Sequence, residues 1–381
     1  MPISIMDDSP FLIVGGGIAG LSTALGLSNI NRHSLVLEKA PKFETVGAGL
    51  QLGPNAVLAL QKLGAWDAIA PHCFSPDEIH IRDGISGSIL QRVKLGESFE
   101  RRFGSPYRVA HRADLQAGLL ESVRAAIDIE IKTSSEVVEV FVEKTSISLK
   151  SGENITGSAI IAADGVRSFV RQKIIPNSIP DFTGHTLFRT LIPIGAVPSN
   201  IETNIITLWL YPGGHVVHYA VSSGKQFNIV VAIESPNATP AKKFVNACSP
   251  LAGILIAQEQ WFAWPAYSVT PNPNWSKNNV VLIGDAAHPA LPYLAQGAAM
   301  SIEDAVVLSK NLAKYENIST ALQNFSRERY NRTRKIQTTS HRIGKVYHAG
   351  KPFRAVRNRL LSAIPTKHFL KQVSWVYDWQ I

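Results

Sequence analysis

Apolar residues fall into three rhythms along this chain of 381 residues. Near the amino end Pro10-Phe11-Leu12-Ile13-Val14 is a continuous apolar run closed by glycines, and an amphipathic stretch from Ile18 to about Leu27 follows it. A short run with no polar face predicts a strand buried on both sides, and the stretch after it predicts a helix. Leu35-Val36-Leu37 makes a second such strand and completes a βαβ unit. Comparable runs recur at Ser158-Ala159-Ile160-Ile161-Ala162-Ala163 and at Val280-Val281-Leu282-Ile283. Between about 72 and 105, and again from about 180 to 270, the texture alternates, as in Thr207-Leu208-Trp209-Leu210-Tyr211 and Phe227-Asn228-Ile229-Val230-Val231. Period two with Gly-Gly and Ser-Gly turns predicts antiparallel sheet. From about 299 onward Ile302, Ala305, Val306, Leu308 and Leu312 recur at helical spacing.

These textures predict an α/β protein. A discontinuous Rossmann-like nucleotide domain is expected over residues 1–72, 106–178 and 271–325, interwoven with an antiparallel-sheet substrate domain over 73–105 and 179–270. A helical region, 326–381, is expected to cover the nucleotide domain. No repeat or flexible linker separates these parts.

Composition narrows the class. Cys73 and Cys248 stand in no Cys/His cluster, so no metal site and no redox pair is expected. No apolar run reaches the roughly 18 residues a spanning helix needs. Asp7 and Asp8 stand where a secretory leader carries basic residues, so a cytoplasmic protein without membrane contact is expected, as monomer or homodimer. The net charge of +9 lies in residues 301–381, which hold 15 Lys/Arg against 5 Asp/Glu. Arg327, Arg329, Arg332, Arg334 and Lys335 lack interleaved aromatics, which argues against nucleic acid and for a solvated helical face.

Three motifs carry the chemistry, each following a buried strand. In Gly15-Gly16-Gly17-Ile18-Ala19-Gly20 the glycines permit a tight turn, a close approach of backbone to a pyrophosphate and close helix–strand packing, and a helix N-terminus then faces the phosphates. Glu38, followed by Lys39, stands about 20 residues on, where an acid accepts from ribose hydroxyls. Ala163-Asp164-Gly165-Val166-Arg167-Ser168 and Gly284-Asp285-Ala286-Ala287-His288-Pro289 place further acids at strand ends, where open α/β sheets bind ligands. Asp285 stands where a flavin's ribityl chain needs an acceptor, so the order of the three motifs points to FAD. His288 reads as structural.

That order resembles the FAD-dependent aromatic hydroxylases, the family of salicylate, 4-hydroxybenzoate and 3-hydroxybenzoate hydroxylases. Gly47-Ala48-Gly49-Leu50-Gln51-Leu52-Gly53-Pro54-Asn55-Ala56, His111-Arg112-Ala113-Asp114-Leu115 and Pro292-Tyr293-Leu294-Ala295-Gln296-Gly297-Ala298-Ala299-Met300 are similar to that family as well, over roughly residues 10 to 350. The resemblance implies a 4-hydroxybenzoate hydroxylase-like fold. It places Arg112 on the FAD phosphate and ribose, Asp164 near the pyrophosphate and Asp285 on the ribityl hydroxyls. Pro292, Gly297 and Ala298 would lie at the isoalloxazine, with Val46 and Gly47 passing it by main-chain contacts. It further implies NADH or NADPH as transient reductant, since no second glycine fingerprint accompanies the first. Reduced flavin and O2 would then form a hydroperoxide that hydroxylates a small phenolic aromatic.

Such a reaction needs a dry cavity and a group to take the phenolic proton. His215, in Gly213-Gly214-His215-Val216-Val217-His218-Tyr219, is the candidate, with Tyr219 on the same face of a strand of period two. Gln296 is a candidate for holding a phenol or carboxylate oxygen. Arg189, Trp209, Trp261 and Trp264 read as core or cavity wall. No arginine stands beside His215 to clamp a carboxylate, which keeps hydroxylated N-heterocycles open as substrates, and an oxidase or reductase without oxygen insertion is the other alternative.

Overall fold

The computed structural model describes residues 9–43, 47–235, 239–256, 258 and 260–380. Among them the buried runs build a six-stranded sheet in the order Ser276–Lys277, Val280–Leu282, Ala159–Ala162, Phe11–Val14, Ser34–Leu37, Ile129–Lys132. Its neighbours pair in parallel except at the edge strand Ser276–Lys277. Phe11–Val14 and Ala159–Ala162 are buried at every position, as a sheet covered on both faces requires. The helix Ile18–Ser28 packs against Gly297–Lys314, an approach that Gly26 permits, because a Cβ there would lie 2.9 Å from the Ala305 carbonyl oxygen.

The alternating segments form a seven-stranded sheet in the order Phe262–Ser268, Asp181–Pro193, Gln226–Ile233, Gly214–Val221, Ile205–Tyr211, Glu78–Asp83, Ile89–Lys94. Its pairing is antiparallel except where Ile205–Tyr211 meets Glu78–Asp83 in parallel. Those two strands come from separate segments with much of the nucleotide domain between them, so no tight turn imposes the antiparallel sense. Alternation along Gly214–Val221 sorts the side chains by face. Val216 and Ala220 join a core with Trp209 and Ile229, whereas Val217 and Tyr219 join another with Val93, Phe99 and Tyr107.

The C-terminal helices differ from the reading of the sequence. Ile318–Tyr347 runs unbroken through position 326, packing Phe325 into the nucleotide core and Ile343 and Tyr347 toward the second sheet. Phe353–Ala363 and Thr366–Tyr377 then lie against Ile89–Lys94, so they cover the second sheet, while Thr366–Tyr377 also touches Pro54–Lys62 of the segment expected in the nucleotide domain. The cause is a buried ion pair that periodicity does not reveal. Asp83 accepts from Arg354 Nε at 2.9 Å, Arg354 Nη2 at 2.6 Å and Asn358 Nδ2 at 2.7 Å. Burial acts to raise the Asp83 carboxyl, but the bonds from Arg354, Ser86 and Asn358 outweigh it and hold the group well below its ordinary 3.8.

Candidate active site

Val14, Ala162 and Leu282 end three adjacent parallel strands in matched register. The three motifs therefore leave one sheet edge side by side, about 5 Å apart. Gly15 turns there with φ of 106°, and a Cβ on it would lie 2.6 Å from the Ala163 carbonyl oxygen. A Cβ on Gly20 would lie 1.9 Å from the Gly15 carbonyl oxygen. Gly284, with φ of 55°, approaches so closely that its Cβ would meet Ala19 Cβ at 3.0 Å. Gly17, Gly165 and Gly297 are the opposite case: a Cβ on any of them would meet nothing within 4 Å. Three distant segments thus pack on one another behind while leaving the space in front of them open. The helices Ile18–Ser28 and Gly297–Lys314 both begin at this edge with no side-chain cap and no acid in the first turn. Their unpaired N–H groups, including those of Ile18, Ala19 and Ala298, are suited to an anion or an electron-rich ring edge.

The acids sit around the same groove. Glu38 Oε2 accepts from Gly16 N at 2.8 Å and Oε1 from Ala40 N at 2.9 Å, leaving one lone pair on each oxygen; Lys39 beside it is exposed. Asp164 Oδ2 accepts from Phe169 N at 3.1 Å, while its buried Oδ1 has no partner among the described residues. Burial raises the Asp164 carboxyl. Asp285 is exposed on the groove side, yet the protein packed behind it desolvates and raises its carboxyl against the pull of His288, Arg112 and Arg171. Arg112, exposed at the start of the helix Arg112–Ala125, also acts on Arg189. A second groove of about 410 Å³ runs past Gly47, His111 and Arg189, with the Arg189 guanidinium 5.1 Å from the Trp264 ring. Val46 lies outside the described residues.

Behind this edge lies a buried network that the sequence did not disclose. Asp304 Oδ2 accepts from Gly284 N at 2.9 Å and bonds His288 Nε2 at 2.6 Å, and its Oδ1 accepts from Arg329 Nε at 2.7 Å. Glu303 pairs with Arg329 and Arg332, each at 2.7 Å, and accepts from Asn55 Nδ2 at 2.7 Å. Two arginines of the supposed solvated face are thus counter-ions, Arg329 fully buried and Arg332 partly buried. Burial would raise both acids; the arginines and, at Asp304, His288 hold them below their ordinary values. His288 also packs on Trp275, with ring centroids 5.1 Å apart. Gln296 belongs to this network: its Oε1 accepts from Asn55 Nδ2 at 2.8 Å, and its side chain is buried.

On the other side of the groove, between the second sheet and the last helices, is a cavity of about 390 Å³. Ile79, Ile81, Leu208, Val217, Leu294 and Ile343 make most of its wall apolar, and among the described residues neither Lys nor Arg lines it. Its polar lining includes Gln51, Tyr107, His215, Tyr293 and Tyr347. Tyr107 Oη donates to Gln51 Oε1 at 2.6 Å. His215 is buried, with Nδ1 at 2.8 Å from His348 Nε2. Burial first, then His348 and His185, push His215 well below its ordinary 6.5, so the ring is neutral. Tyr219 stands four residues along the strand, about 13 Å away. It packs against Gly49, where a Cβ would lie 2.6 Å from its ring, and is not part of the cavity wall. The loop Pro292–Leu294 lines the cavity and leads directly to Gly297, so groove and cavity meet there. Tyr107 and His348 escaped the sequence reading because their local pattern carries packing information alone, and Gln51 and Tyr293, though within quoted motifs, have no local signal that turns them toward the cavity.

The sequence profile of the FAD-binding domain family matches residues 8–340. The chain belongs to that family. Its relatives include 3-hydroxybenzoate 6-hydroxylase 1 of Aquipseudomonas alcaligenes, 37% identical over 96% of this chain and 96% of that one. A 3-amino-4-hydroxybenzoate 2-monooxygenase of Streptomyces platensis is 30% identical over 97% of this chain and 95% of its own length. Two solved structures share the fold of this FAD-binding chain. Klebsiella pneumoniae HpxO complexed with FAD and uric acid has a TM-score of 0.85 at 21% identity, covering 97% of each chain. A salicylate hydroxylase substrate complex has a TM-score of 0.81 at 24% identity, covering 98% and 97%.

Proposed function

We propose that this chain is an FAD-dependent monooxygenase that uses NAD(P)H and O2 to hydroxylate a small phenolic aromatic of the hydroxybenzoate class. The observation that carries the reading is the meeting, at Pro292–Gly297, of a groove built for a flavin nucleotide and an apolar cavity with a neutral histidine in its wall. Relatives named as hydroxybenzoate hydroxylases over the whole chain length support it.

The groove fits FAD on its own chemistry. Gly17, Ile18, Ala19 and Gly20 hold the pyrophosphate through helix N–H groups, Glu38 offers its remaining lone pairs to ribose hydroxyls, and Lys39 and Arg112 supply positive charge. Asp285 accepts from the ribityl hydroxyls, and the unpartnered Asp164 Oδ1 accepts near the pyrophosphate. Gly297 and Ala298 offer N–H groups to the ring, with Gly47 passing it by main chain and Tyr219 packed beside Gly49. Bound flavin supplies the redox chemistry that activates dioxygen. The protein's own contribution is threefold. Arg112 and Arg189 give the anionic reductant a cationic approach. The apolar wall excludes water from the reacting ring. His215, kept neutral by burial, accepts the phenolic proton, so that the ring becomes electron-rich before oxygen is transferred. Gln296 acts through Asn55 by fixing the turn that leads into Gly297.

Because neither Lys nor Arg among the described residues lines the cavity, neutral donors such as the Tyr293 and Tyr347 hydroxyls would hold a carboxylate, and the same lining suits a neutral hydroxylated N-heterocycle as the second reading. The test is a panel of hydroxybenzoates and hydroxylated heterocycles offered to the FAD-loaded protein. NAD(P)H oxidation stimulated by 3-hydroxybenzoate is the expected result. A protein that cannot be loaded with FAD, or that no phenol stimulates, overturns the proposal.

A further inference from the structure

We infer that His348 and Glu234 form a proton path joining His215, at the cavity wall, to solvent, so that the phenolic proton leaves as substrate binds and returns as product forms. The inference rests on reading the cavity as the phenol's site. His215 Nδ1 lies 2.8 Å from His348 Nε2, and His348 Nδ1 lies 2.8 Å from Glu234 Oε1. Both imidazoles are buried, whereas the Glu234 side chain is 42% exposed, so three residues span from cavity to water. They come from the strand Gly214–Val221, the end of the helix Ile318–Tyr347 and the end of the strand Gln226–Ile233. Gly213 fixes their spacing, its N–H donating to the His348 carbonyl at 2.8 Å and its carbonyl accepting from Glu234 N at 3.1 Å.

Donor and acceptor accounting sets the direction of every proton. A carboxylate only accepts, so His348 Nδ1 carries the hydrogen. The Nε2 of a neutral His348 must then accept, so His215 Nδ1 carries the next hydrogen. That leaves His215 Nε2 with a free lone pair, the state a general base requires. A proton taken at Nε2 moves one proton on from His215 Nδ1 to His348 Nε2, one from His348 Nδ1 to Glu234, and one from Glu234 to water. The reverse passage protonates the product's oxygen and restores the tautomers, and no redox partner is involved. The outlet has a reason. Burial keeps His215 neutral and, against the pull of Glu234, lowers His348 to about 4, so neither ring is a resting place for the proton. The other groups facing the path are His185, whose Nε2 is 3.5 Å from Glu234 Oε1, Lys243 toward His348, and the Tyr293 and Tyr347 rings at 5.1 and 5.6 Å from His215.

The experiment mixes FAD-loaded enzyme with 3-hydroxybenzoate in weak buffer containing a pH indicator, and follows proton release together with phenolate absorbance. Wild type releases a proton as phenolate forms. Glu234→Gln, at an exposed position that does not threaten folding, slows release about a hundredfold, the lower end of what a positioned proton carrier contributes. Added imidazole restores it by replacing the outlet. His348→Gln slows release as well. Wild-type release in both variants, or a loss in Glu234→Gln that imidazole does not restore, overturns the path and leaves the phenol reading intact. If wild type itself neither binds 3-hydroxybenzoate nor releases a proton, the phenol reading fails and the path with it.

Discussion

Substituting alanine at Gly17 and at Gly20 separates ligand contact from packing within four residues of one motif. Gly17 has φ of −75°, which alanine adopts without strain, and its added Cβ would meet nothing within 4 Å. Gly17→Ala therefore leaves the apoprotein as stable as before or about 0.4–1 kcal/mol more so, through the reduced freedom of the unfolded chain. The same methyl occupies the space through which a pyrophosphate reaches the helix N–H groups. Losing one hydrogen bond to a charged group costs about 1.5–3 kcal/mol, so FAD affinity falls about ten- to a hundredfold. Gly20→Ala differs because its Cβ would lie 1.9 Å from a backbone oxygen and must push the turn away from the helix. Overpacking of that kind costs about 1–3 kcal/mol in the apoprotein, and FAD binding falls with it. Thermal melts of both apoproteins and titrations of FAD fluorescence give the two readouts. Wild-type FAD affinity in a well-folded Gly17→Ala protein would refute the assignment of the pyrophosphate to this helix.

Two further perturbations follow from buried charge. Arg329→Met leaves Asp304 and Glu303 short of a counter-ion and lowers the stability measured by urea unfolding by about 3–5 kcal/mol, with a weaker hold on Gly284 and lower FAD affinity; unchanged unfolding would contradict the network. Asp83→Asn loosens the last helices from the substrate sheet and costs about 3 kcal/mol at neutral pH. Because the folded Asp83 carboxyl lies below its unfolded value, its contribution is complete above about pH 4 and disappears as the pH falls further, so the gap between variant and wild type should close in acid. A gap that widens in acid would reverse the sign of that argument.

What could be read from the sequence was whatever a local pattern records. Apolar runs ending in glycine or aspartate gave the three strand ends, because a doubly buried strand tolerates no polar residue and a ligand edge needs small ones. The alternating face of Gly214–Val221 gave His215 its side of the sheet. The partners of those residues were not legible, since nothing local to His215 points to His348, 133 residues away, or to Glu234. Glu303 and Asp304 look like ordinary polar positions of a helix until Arg329 and Arg332 arrive from the next one. Lys and Arg excess in residues 301–381 likewise reads as surface charge, although part of it neutralises buried acids and part anchors the last helices on Asp83.

The central claim is that flavin chemistry in this groove inserts oxygen into a phenol held in the adjoining cavity. Mass spectrometry of the product formed from 3-hydroxybenzoate, NADH and isotopically labelled dioxygen tests it directly. The account predicts a dihydroxybenzoate carrying one labelled oxygen atom; recovery of unaltered 3-hydroxybenzoate while NADH is consumed and hydrogen peroxide accumulates would contradict it.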